Sequence, residues 1–246
     1  METRKKIALI TGANRGLGFE IARQLGKMHI KVLLGARNAT AGKAAADRLR
    51  AEGTDALFVL LDITDTNSIE SAVRFVGEQF GYLDILVNNA ARLPKPTDEG
   101  LPSQANHELL SEFLETNFLA QVNITQSFLP LIKESMAGRI VNMSSTIGSI
   151  TISSEHLHQN GPKPPRIPYA ASKAALNMFT VMLAKELRQD GIKVNSADPG
   201  LTQTDAGGPN APYTVEQGAR PAVWLACLDE DGPTGCFFTH VDEHVG

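Results

Sequence analysis

The chain has 246 residues, a formal net charge of −4 at pH 7 and a hydrophobic content of 42%. This length suits one domain with a single large core, and the negative charge argues against a nucleic-acid or acidic-membrane partner. The two cysteines fit a reducing compartment better than a disulfide framework. We find no signal peptide, no apolar run of membrane length and no cluster with metal-ligand spacing. We therefore expect a cytoplasmic protein without a membrane or metal partner.

Strand-like apolar runs alternate with segments of helical periodicity along the whole chain. The predicted strands are 6–11, 31–36, 56–62, 83–87, 138–144, 192–197 and 235–239. The predicted helices include 16–27, 41–52, 66–80, 107–135 and 169–190. Because alternating strands and helices form parallel sheets, we expect an α/β fold. It would be a single Rossmann-type domain over residues 1–246, a doubly wound, seven-stranded parallel sheet with helices on both faces.

The first strand leads directly into a glycine-rich turn, TGANRGLG, which is followed by a helical pattern. A strand, a glycine turn and a helix in this order present backbone N–H groups to a phosphate. Gly12 permits the tight turn, Gly16 allows a pyrophosphate to approach, and Gly18 allows the helix to pack on the strand. We interpret the turn as a dinucleotide-binding site in preference to a glycine turn without a ligand.

The end of the second strand bears on which dinucleotide binds. NAD-specific sites place an acidic residue there to bind the ribose 2′-hydroxyl, whereas this strand ends in Ala36 and Arg37. Arg37 can bind a 2′-phosphate through two parallel hydrogen bonds, assisted by Arg15 and Asn38. The predicted cofactor is therefore NADPH or NADP+; the alternative is that both arginines are merely solvated.

Two proline-rich segments, 92–106 and 148–168, interrupt the alternation of strands and helices. Both follow strands at the carboxyl edge of the predicted sheet, where ligands bind in such folds. We expect them to line a substrate pocket together with a third segment, 202–214. The glycines and prolines of this third segment predict a mobile, open entrance.

Tyr169 and Lys173 are four residues apart in the string YAASK, so they share one face of a helix. A nearby ammonium lowers a phenol pKa. A shift from about 10 to neutrality requires about 4 kcal/mol, which one close cation and a bound cationic nicotinamide can supply. Such a tyrosine can protonate a carbonyl oxygen or deprotonate an alcohol. For this motif taken alone, a chance surface pair is the alternative.

Seven features occur in a characteristic order along the chain. They are TGANRGLG, LDITD (61–65), NNAA (88–91), Asn117, VNMSS (141–145), YAASK and DPGLTQT (198–204). In this order they resemble the classical short-chain dehydrogenase/reductase family, and the chain looks carbonyl reductase-like. The likeness spans residues 7–204, and GCFF near the end is similar to the last strand of the family.

The resemblance implies a catalytic role for four residues. Tyr169 would be the general acid in reduction and the base in oxidation, and Lys173 would lower its pKa and bind the nicotinamide ribose. Ser145 would donate a hydrogen bond to the substrate oxygen, with Ser144 as its rival. Asn117 would hold a water that links Lys173 to solvent.

The resemblance also implies a set of cofactor contacts, which cluster after the predicted strands. They are Gly12, Asn14, Arg15, Gly16, Leu17, Gly18, Arg37, Asn38, Asp62, Ile63, Asn89, Ala90, Ala91, Tyr169, Lys173, Pro199, Gly200, Thr202 and Thr204. The usual NNAG of the family reads NNAA here, and we expect binding to survive the restriction that Ala91 places on the backbone.

The predicted function is NADPH-dependent carbonyl reduction of ketones or aldehydes. The alternatives are an alcohol or hydroxysteroid dehydrogenase that works oxidatively, and a non-catalytic NADP-binding redox sensor. The expected partner is a small-molecule carbonyl or alcohol. We expect a homo-oligomer, a dimer or tetramer, through helices 107–135 and 169–190. It would be a monomer if the insertion in 148–168, which separates Ser145 from Tyr169 by 24 residues, covers that face.

Overall fold

The computed structural model describes residues 4–98, 100–155, 166–205 and 207–239. Within these residues, seven parallel strands form one sheet in the order β3-β2-β1-β4-β5-β6-β7. The strands are β1 (Ile7–Thr11), β2 (Lys31–Ala36), β3 (Ala56–Leu60), β4 (Ile85–Asn88), β5 (Arg139–Met143), β6 (Lys193–Ala197) and β7 (Phe237–Phe238). The predicted fold is confirmed, although β7 has two residues where the sequence predicted a strand over 235–239.

Helices cover both faces of this sheet. They are α1 (Gly16–Lys27), α2 (Ala39–Ala51), α3 (Thr66–Phe80), α4 (His107–Leu114), α5 (Ala120–Lys133), α6 (Ile150–Glu155), α7 (Ile167–Glu186) and α8 (Val215–Ala226). The helix predicted over 107–135 is divided, because a π-helical turn (Glu115–Leu119) separates α4 from α5. None of the helices in the described part of the chain has the length and apolar composition needed to cross a membrane.

Two hydrophobic clusters hold the helices against the sheet. In β1, Ala8 and Ile10 belong to the cluster that includes α1, α2 and α8, whereas Ile7 and Leu9 belong to the cluster that includes α3, α5 and α7. Successive side chains of a strand point to opposite faces, so a strand covered on both faces is apolar throughout. This explains why β1 forms an uninterrupted apolar run in the sequence.

The chain changes direction across the sheet at β1, which lies between β2 and β4. In open α/β sheets, ligands bind beyond the carboxyl ends of the strands at such a switch point. At this edge the glycine turn follows β1, Asn89 follows β4, and Asp198 follows β6. Ser145 lies two residues beyond the end of β5. The fold therefore gathers most of the predicted site residues at one edge.

A chain of buried polar side chains fixes α7 over the middle of the sheet. The Asn88 Nδ2 donates to the Asn142 Oδ1 at 2.8 Å, and the Asn142 Nδ2 donates to the Thr180 Oγ1 of α7 at 2.8 Å. The hydroxyls of Thr180 and Ser196 are also 2.8 Å apart. Because an unpaired buried polar group is costly, this chain favours one position of α7, the helix that carries Tyr169 and Lys173.

A buried arginine connects the opposite edge of the sheet to the segment after α8. Arg139, the first residue of β5, is only 3% exposed. Its Nε and Nη2 donate to the Leu228 carbonyl at 2.9 and 2.7 Å, and its Nη2 also donates to the Asp229 carbonyl at 3.2 Å. The Nη1 donates to the Gly138 carbonyl at 2.9 Å. The guanidinium thereby anchors the end of α8 beneath the sheet.

Candidate active site

The glycine turn after β1 has backbone geometry that side chains would disturb. Gly12 and Gly16 have φ angles of +64° and +56°, in the left-handed region. A Cβ on Gly12 would lie 3.0 Å from the Ala90 Cα, and one on Gly18 would lie 2.5 Å from the Asn89 Nδ2. The turn is therefore packed closely against the segment after β4, and α1 begins immediately beyond it.

The first turn of α1, like that of α7, lacks the side-chain cap that four other helices have. Arg15 is its N-cap and makes no capping hydrogen bond, and the first turn contains no acidic residue. By contrast, α2, α3, α4 and α8 are capped by Asn38, Asp65, Asn106 and Thr214. Helix N–H groups that no side chain caps attract anions. The turn, with Asn14 and Leu17 half-buried within it, therefore fits the pyrophosphate of a dinucleotide.

Two arginines lie at the rim next to this turn. Arg37 is exposed at the end of β2, and Asn38 beside it accepts a hydrogen bond from the Ala41 N–H at 2.9 Å. Arg15 forms an exposed ion pair with Asp205, which belongs to the segment after β6. The rim thus carries two cations that suit a 2′-phosphate, and one of them is paired with a carboxylate.

The remaining predicted cofactor residues lie along the same edge. Asp62 accepts hydrogen bonds from the Thr64 N–H and hydroxyl at 3.0 and 2.8 Å, while the adjacent Ile63 is buried. Beyond β6, the Thr202 hydroxyl donates to the Pro199 carbonyl at 3.0 Å. The loop turns at Gly200, where φ is +66°, and continues to Thr204, whose N–H donates to the Thr202 carbonyl.

Lys173 is buried against the end of β5. It is 3% exposed, and its Nζ donates to the Met143 carbonyl at 2.7 Å. The Nζ also lies 5.6 Å from the centre of the Tyr169 ring. Burial disfavours the ammonium and lowers the pKa of Lys173 to about 8, although Asp198 opposes this effect. The lysine is therefore a cation near its titration point.

Tyr169 lies in the first turn of α7, and its side chain is hydrogen-bonded to that of Ser145. Burial raises the pKa of Tyr169 above its usual value, and Asp198 raises it further, whereas Ser145 and Arg166 lower it. Burial and Asp198 together outweigh the lowering effects of Ser145 and Arg166. The expected lowering by Lys173 together with a bound nicotinamide stays a prediction. The phenol is therefore held in its protonated form.

The structure distinguishes the two candidate serines after β5. Ser145 is half-buried and bonded to Tyr169. The hydroxyl of Ser144 is buried and has no hydrogen-bond partner in the described part of the chain. The Ser144 N–H donates to the Ala197 carbonyl at 2.7 Å, which joins the ends of β5 and β6. Ser145 therefore has the position expected of a hydrogen-bond donor to a substrate oxygen.

Asn117 is fully buried in the π-helical turn, and its side chain is engaged with protein groups. Its Oδ1 accepts from the Arg92 N–H at 2.8 Å, and its Nδ2 donates to the Arg92 carbonyl at 3.0 Å. The Nδ2 also donates to the Ser172 hydroxyl at 3.3 Å, which in turn donates to the Tyr169 carbonyl at 2.8 Å. Asn117 thus ties the segment after β4 to the helix that carries Tyr169.

Three further residues that the motifs did not single out shape the site. Thr11 accepts from the N–H groups of Asn89 and Ala90 at 2.9 and 2.8 Å, and so joins the ends of β1 and β4. Phe113 packs edge-on against the Tyr169 ring, with 6.1 Å between ring centres. Asp198, the third, influences both Tyr169 and Lys173. The role of Thr11 could have been predicted, because it is a polar residue at the end of an apolar strand. The contact of Phe113 could not, because its partner Tyr169 is 56 residues away in the chain.

The structure gives contacts for two of the three predicted pocket segments and describes the third only in part. The Arg92 guanidinium lies 4.3 Å from the centre of the Phe113 ring and 3.1 Å from the Glu112 carboxylate, which brings the start of 92–106 against α4. Thr202 and Tyr213 form a bridge that closes the segment 202–214. Residues 156–165 of the predicted segment 148–168 lie outside the described residues.

A family model described as short chain dehydrogenase matches residues 6–212. This chain belongs to the short-chain dehydrogenase family. It is 36% identical to carbonyl reductase (NADPH) 1 of Sus scrofa, over 97% of this chain and 93% of that protein. It is 34% identical to (+)-neomenthol dehydrogenase of Arabidopsis thaliana, over 97% of each.

Solved structures of the family agree with the fold of this short-chain dehydrogenase. Salutaridine reductase from Papaver somniferum superimposes with a TM-score of 0.82 at 29% identity, covering 95% of this chain and 99% of that one. An NADPH-bound carbonyl reductase from chicken fatty liver gives a TM-score of 0.80 at 29% identity, with coverage of 96% and 97%. The predicted family, the likeness to carbonyl reductases and the oxidoreductase class are confirmed.

Proposed function

We propose that this enzyme is a carbonyl reductase that uses NADPH to reduce a ketone or an aldehyde, with Tyr169 as the proton donor. The observation that carries the proposal is the hydrogen bond between Tyr169 and Ser145 beside the buried Lys173, at the carboxyl edge of the sheet. This arrangement provides a proton donor, a second donor for an oxyanion and a cation within one corner of the site.

The cofactor is NADPH or NADP+, in agreement with the cofactor named for the pig and chicken relatives. The uncapped first turn of α1 would hold its pyrophosphate, and Arg37 with Arg15 would hold its 2′-phosphate. When bound, NADPH supplies a hydride from the nicotinamide. The segment from Pro199 to Thr204 would orient the nicotinamide, and the hydroxyl of Thr202 already fixes that segment through Pro199.

The residues of the chain would divide the remaining work. Ser145 donates a hydrogen bond to the substrate carbonyl oxygen and stabilises the negative charge that develops there. Tyr169 transfers its phenolic proton to the same oxygen. Lys173 would bind the nicotinamide ribose, and its charge would stabilise the tyrosinate that is left behind. Asn117 keeps the helix of Tyr169 and Lys173 in position and would hold a water for reprotonation.

The protonation state of Tyr169 suits the reductive reaction. Burial and Asp198 raise its pKa, so the phenol retains its proton at neutral pH. A protonated phenol is ready to act as an acid in reduction, whereas oxidation of an alcohol needs it as a base. The free enzyme would therefore already hold the proton that reduction needs, whereas oxidation would first need that proton removed, and the same residues serve both directions.

The experiment that tests this function compares NADPH consumption by the wild type and by Tyr169→Phe. The substrates are a panel of ketones, aldehydes, diketones and quinones. We expect the variant to lose about 10²–10⁴-fold in kcat, as expected for a missing general acid, while still binding NADPH in a fluorescence titration. Tyr82→Phe is the matched control, because its hydroxyl bonds the distant Lys5 carbonyl.

Two results would contradict the proposal. Full turnover by Tyr169→Phe would remove the tyrosine from the chemistry. Binding of NADPH by the wild type without turnover of any carbonyl compound would favour the redox sensor, or the oxidative dehydrogenase if alcohols are oxidised with NADP+.

We also propose that the enzyme forms a dimer through α5, α7 and the turn between α4 and α5. Met178 and Met182 lie four residues apart on α7 and are 57% and 54% exposed, and Leu119 in the π-helical turn is 49% exposed. Large apolar side chains exposed on a pair of neighbouring helices favour association. Residues 156–165, which would cover this face in a monomer, lie outside the described residues.

A further inference from the structure

We propose that Asp198 is a positioning residue for charge: a buried carboxylate that acts through Lys173 and Tyr169, keeping the lysine an ammonium and the tyrosine a phenol. This inference rests on the proposed function, because it concerns the proton donor of the same reaction. In the sequence, Asp198 is the first residue of DPGLTQT. The resemblance to the family assigns it no role.

The backbone around Asp198 holds its carboxylate at a fixed place. Its N–H donates to the Phe238 carbonyl at 2.8 Å, and its Oδ1 accepts from the Gly200 N–H at 3.1 Å. The residue is only 5% exposed. The carboxylate is therefore inside the protein, at the point where β6 ends and the nicotinamide segment begins.

The same point lies beside the anchor of Lys173. The Lys173 Nζ donates to the carbonyl of Met143, and Met143 is paired with Ala197 in the parallel register of β5 and β6. Asp198 follows Ala197 directly. The strand pairing thus brings a buried carboxylate and a buried ammonium to the same corner of the sheet.

The buried carboxylate of Asp198 needs a nearby cation, and the ammonium of Lys173 can provide it. A buried carboxylate is stable only with a compensating cation or with hydrogen bonds. In the described part of the chain, the titratable and charged groups that act on this corner are Lys173, Tyr169 and Arg166. Asp198 opposes the effect of burial on the lysine pKa and adds to the effect of burial on the tyrosine pKa. Both influences favour the state needed for reduction.

A purely structural role for Asp198 makes a different prediction. An aspartate that accepts from the N–H two residues later forms a common turn, and an asparagine forms the same turn equally well. Asp198→Asn therefore keeps the acceptor for Gly200 and removes only the charge. If the turn alone matters, this variant leaves the titration of Lys173 unchanged.

The first test measures the titration of Lys173 directly, by ¹³C NMR of the protein labelled at the lysine ε-carbons. The Lys173 signal is identified by its loss in Lys173→Arg. We expect a midpoint of about 8 in the wild type and a midpoint about one pH unit lower in Asp198→Asn. An unchanged midpoint in the folded variant would overturn the proposal. The measurement needs neither cofactor nor turnover, so it is independent of the proposed function.

The matched control is Glu186→Gln, which removes the same charge from the exposed end of α7. Glu186 lies thirteen residues beyond Lys173, about 20 Å along the helix axis, so its replacement leaves the midpoint at the wild-type value. An equal downward shift in this control would show a general charge effect and would also overturn the proposal. If Asp198→Asn fails to fold, Asp198→Ser offers the Gly200 N–H another acceptor and is measured in its place.

The second test is the pH profile of carbonyl reduction. Without the carboxylate, the pKa values of Tyr169 and Lys173 both fall, so the decline of kcat/KM at high pH moves to lower pH by about one unit. A loss of kcat that is equal at every pH would instead indicate a structural role. Absence of turnover in the wild type would contradict the proposed function, while the NMR titration would still decide the role of Asp198.

Discussion

Ser144 and Ser145 are adjacent, yet only one of them meets the reacting groups. Ser145 is bonded to Tyr169, whereas the buried hydroxyl of Ser144 has no partner among the residues that the structure describes. We therefore expect Ser145→Ala to lose about 10²–10³-fold in kcat, the usual effect of removing an oxyanion donor. Ser144→Ala should keep its activity and be as stable as the wild type, because it removes an unsatisfied polar group.

Steady-state kinetics and thermal unfolding of the two serine variants test this assignment. The pair is its own control, since both changes remove one hydroxyl at the end of β5. A larger loss of kcat in Ser144→Ala than in Ser145→Ala would reverse the assignment.

We expect Arg37, at the end of β2, to determine the choice of cofactor. Arg37→Asp replaces the cation that would bind the 2′-phosphate with an acceptor for the ribose 2′-hydroxyl of NADH. We expect the ratio of kcat/KM for NADPH to that for NADH to fall by at least about tenfold, which corresponds to 1.4 kcal/mol. The measurement is kcat/KM for each cofactor with one carbonyl substrate. An unchanged ratio would contradict the assignment. Arg188→Asp, in the exposed turn after α7, is the control.

The π-helical turn between α4 and α5 shows where periodicity in the sequence stops being informative. The apolar pattern over 107–135 is helical throughout, and the helical path is indeed present. The local widening depends on the hydrogen bonds of Asn117 to Arg92 and Ser172, which are 25 and 55 residues away in the chain. The spacing of residues along one segment cannot indicate hydrogen-bond partners that are this far away in the sequence. By contrast, the TVEQ string at Thr214 to Gln217 forms a capping box, and it could have revealed α8, which periodicity did not single out.

Asn117→Ala tests the mechanical role of that turn. The change removes three hydrogen bonds and leaves the Arg92 N–H and carbonyl without their partner, so we expect the free energy of unfolding to fall by about 2–4 kcal/mol. Asn123→Ala on α5 is the matched control and should stay within about 0.5 kcal/mol of the wild type. Urea denaturation measures both variants. Equal midpoints for the two would show that the buried amide contributes little to stability.

The sheet as a whole was predictable from the sequence because the pattern of apolar residues that indicates its strands and helices is local. Alternating apolar strands and amphipathic helices permit few parallel arrangements, and handedness rules exclude most of those. The predicted order of elements is therefore confirmed from β1 to β7. The state of the reacting groups was not predictable in this way. The pKa of Tyr169 depends on burial and on Asp198, both of which are set by the assembled fold.

The proposed dimer gives a prediction at the scale of the whole molecule. Met182→Glu places a charge in the exposed apolar face of α7, so we expect it to shift the mass in sedimentation equilibrium from dimer to monomer. Met136→Glu is the control, because Met136 is 87% exposed beyond the end of α5, outside the proposed face. A monomeric wild type, or a dimer that survives Met182→Glu, would contradict the proposed association.

The contacts of the buried Arg139 also bear on the order in which the chain folds during synthesis. Its side chain leaves the exit tunnel with β5. The Leu228 and Asp229 carbonyls, which accept hydrogen bonds from it, are 89 and 90 residues later in the chain. Until they emerge, the Gly138 carbonyl is the one acceptor of the described set that is present, and burial of a cation with most of its donors unpaired is strongly unfavourable. We therefore expect β5 to take its final place only after Leu228 has left the ribosome, and chains released before that residue to be degraded.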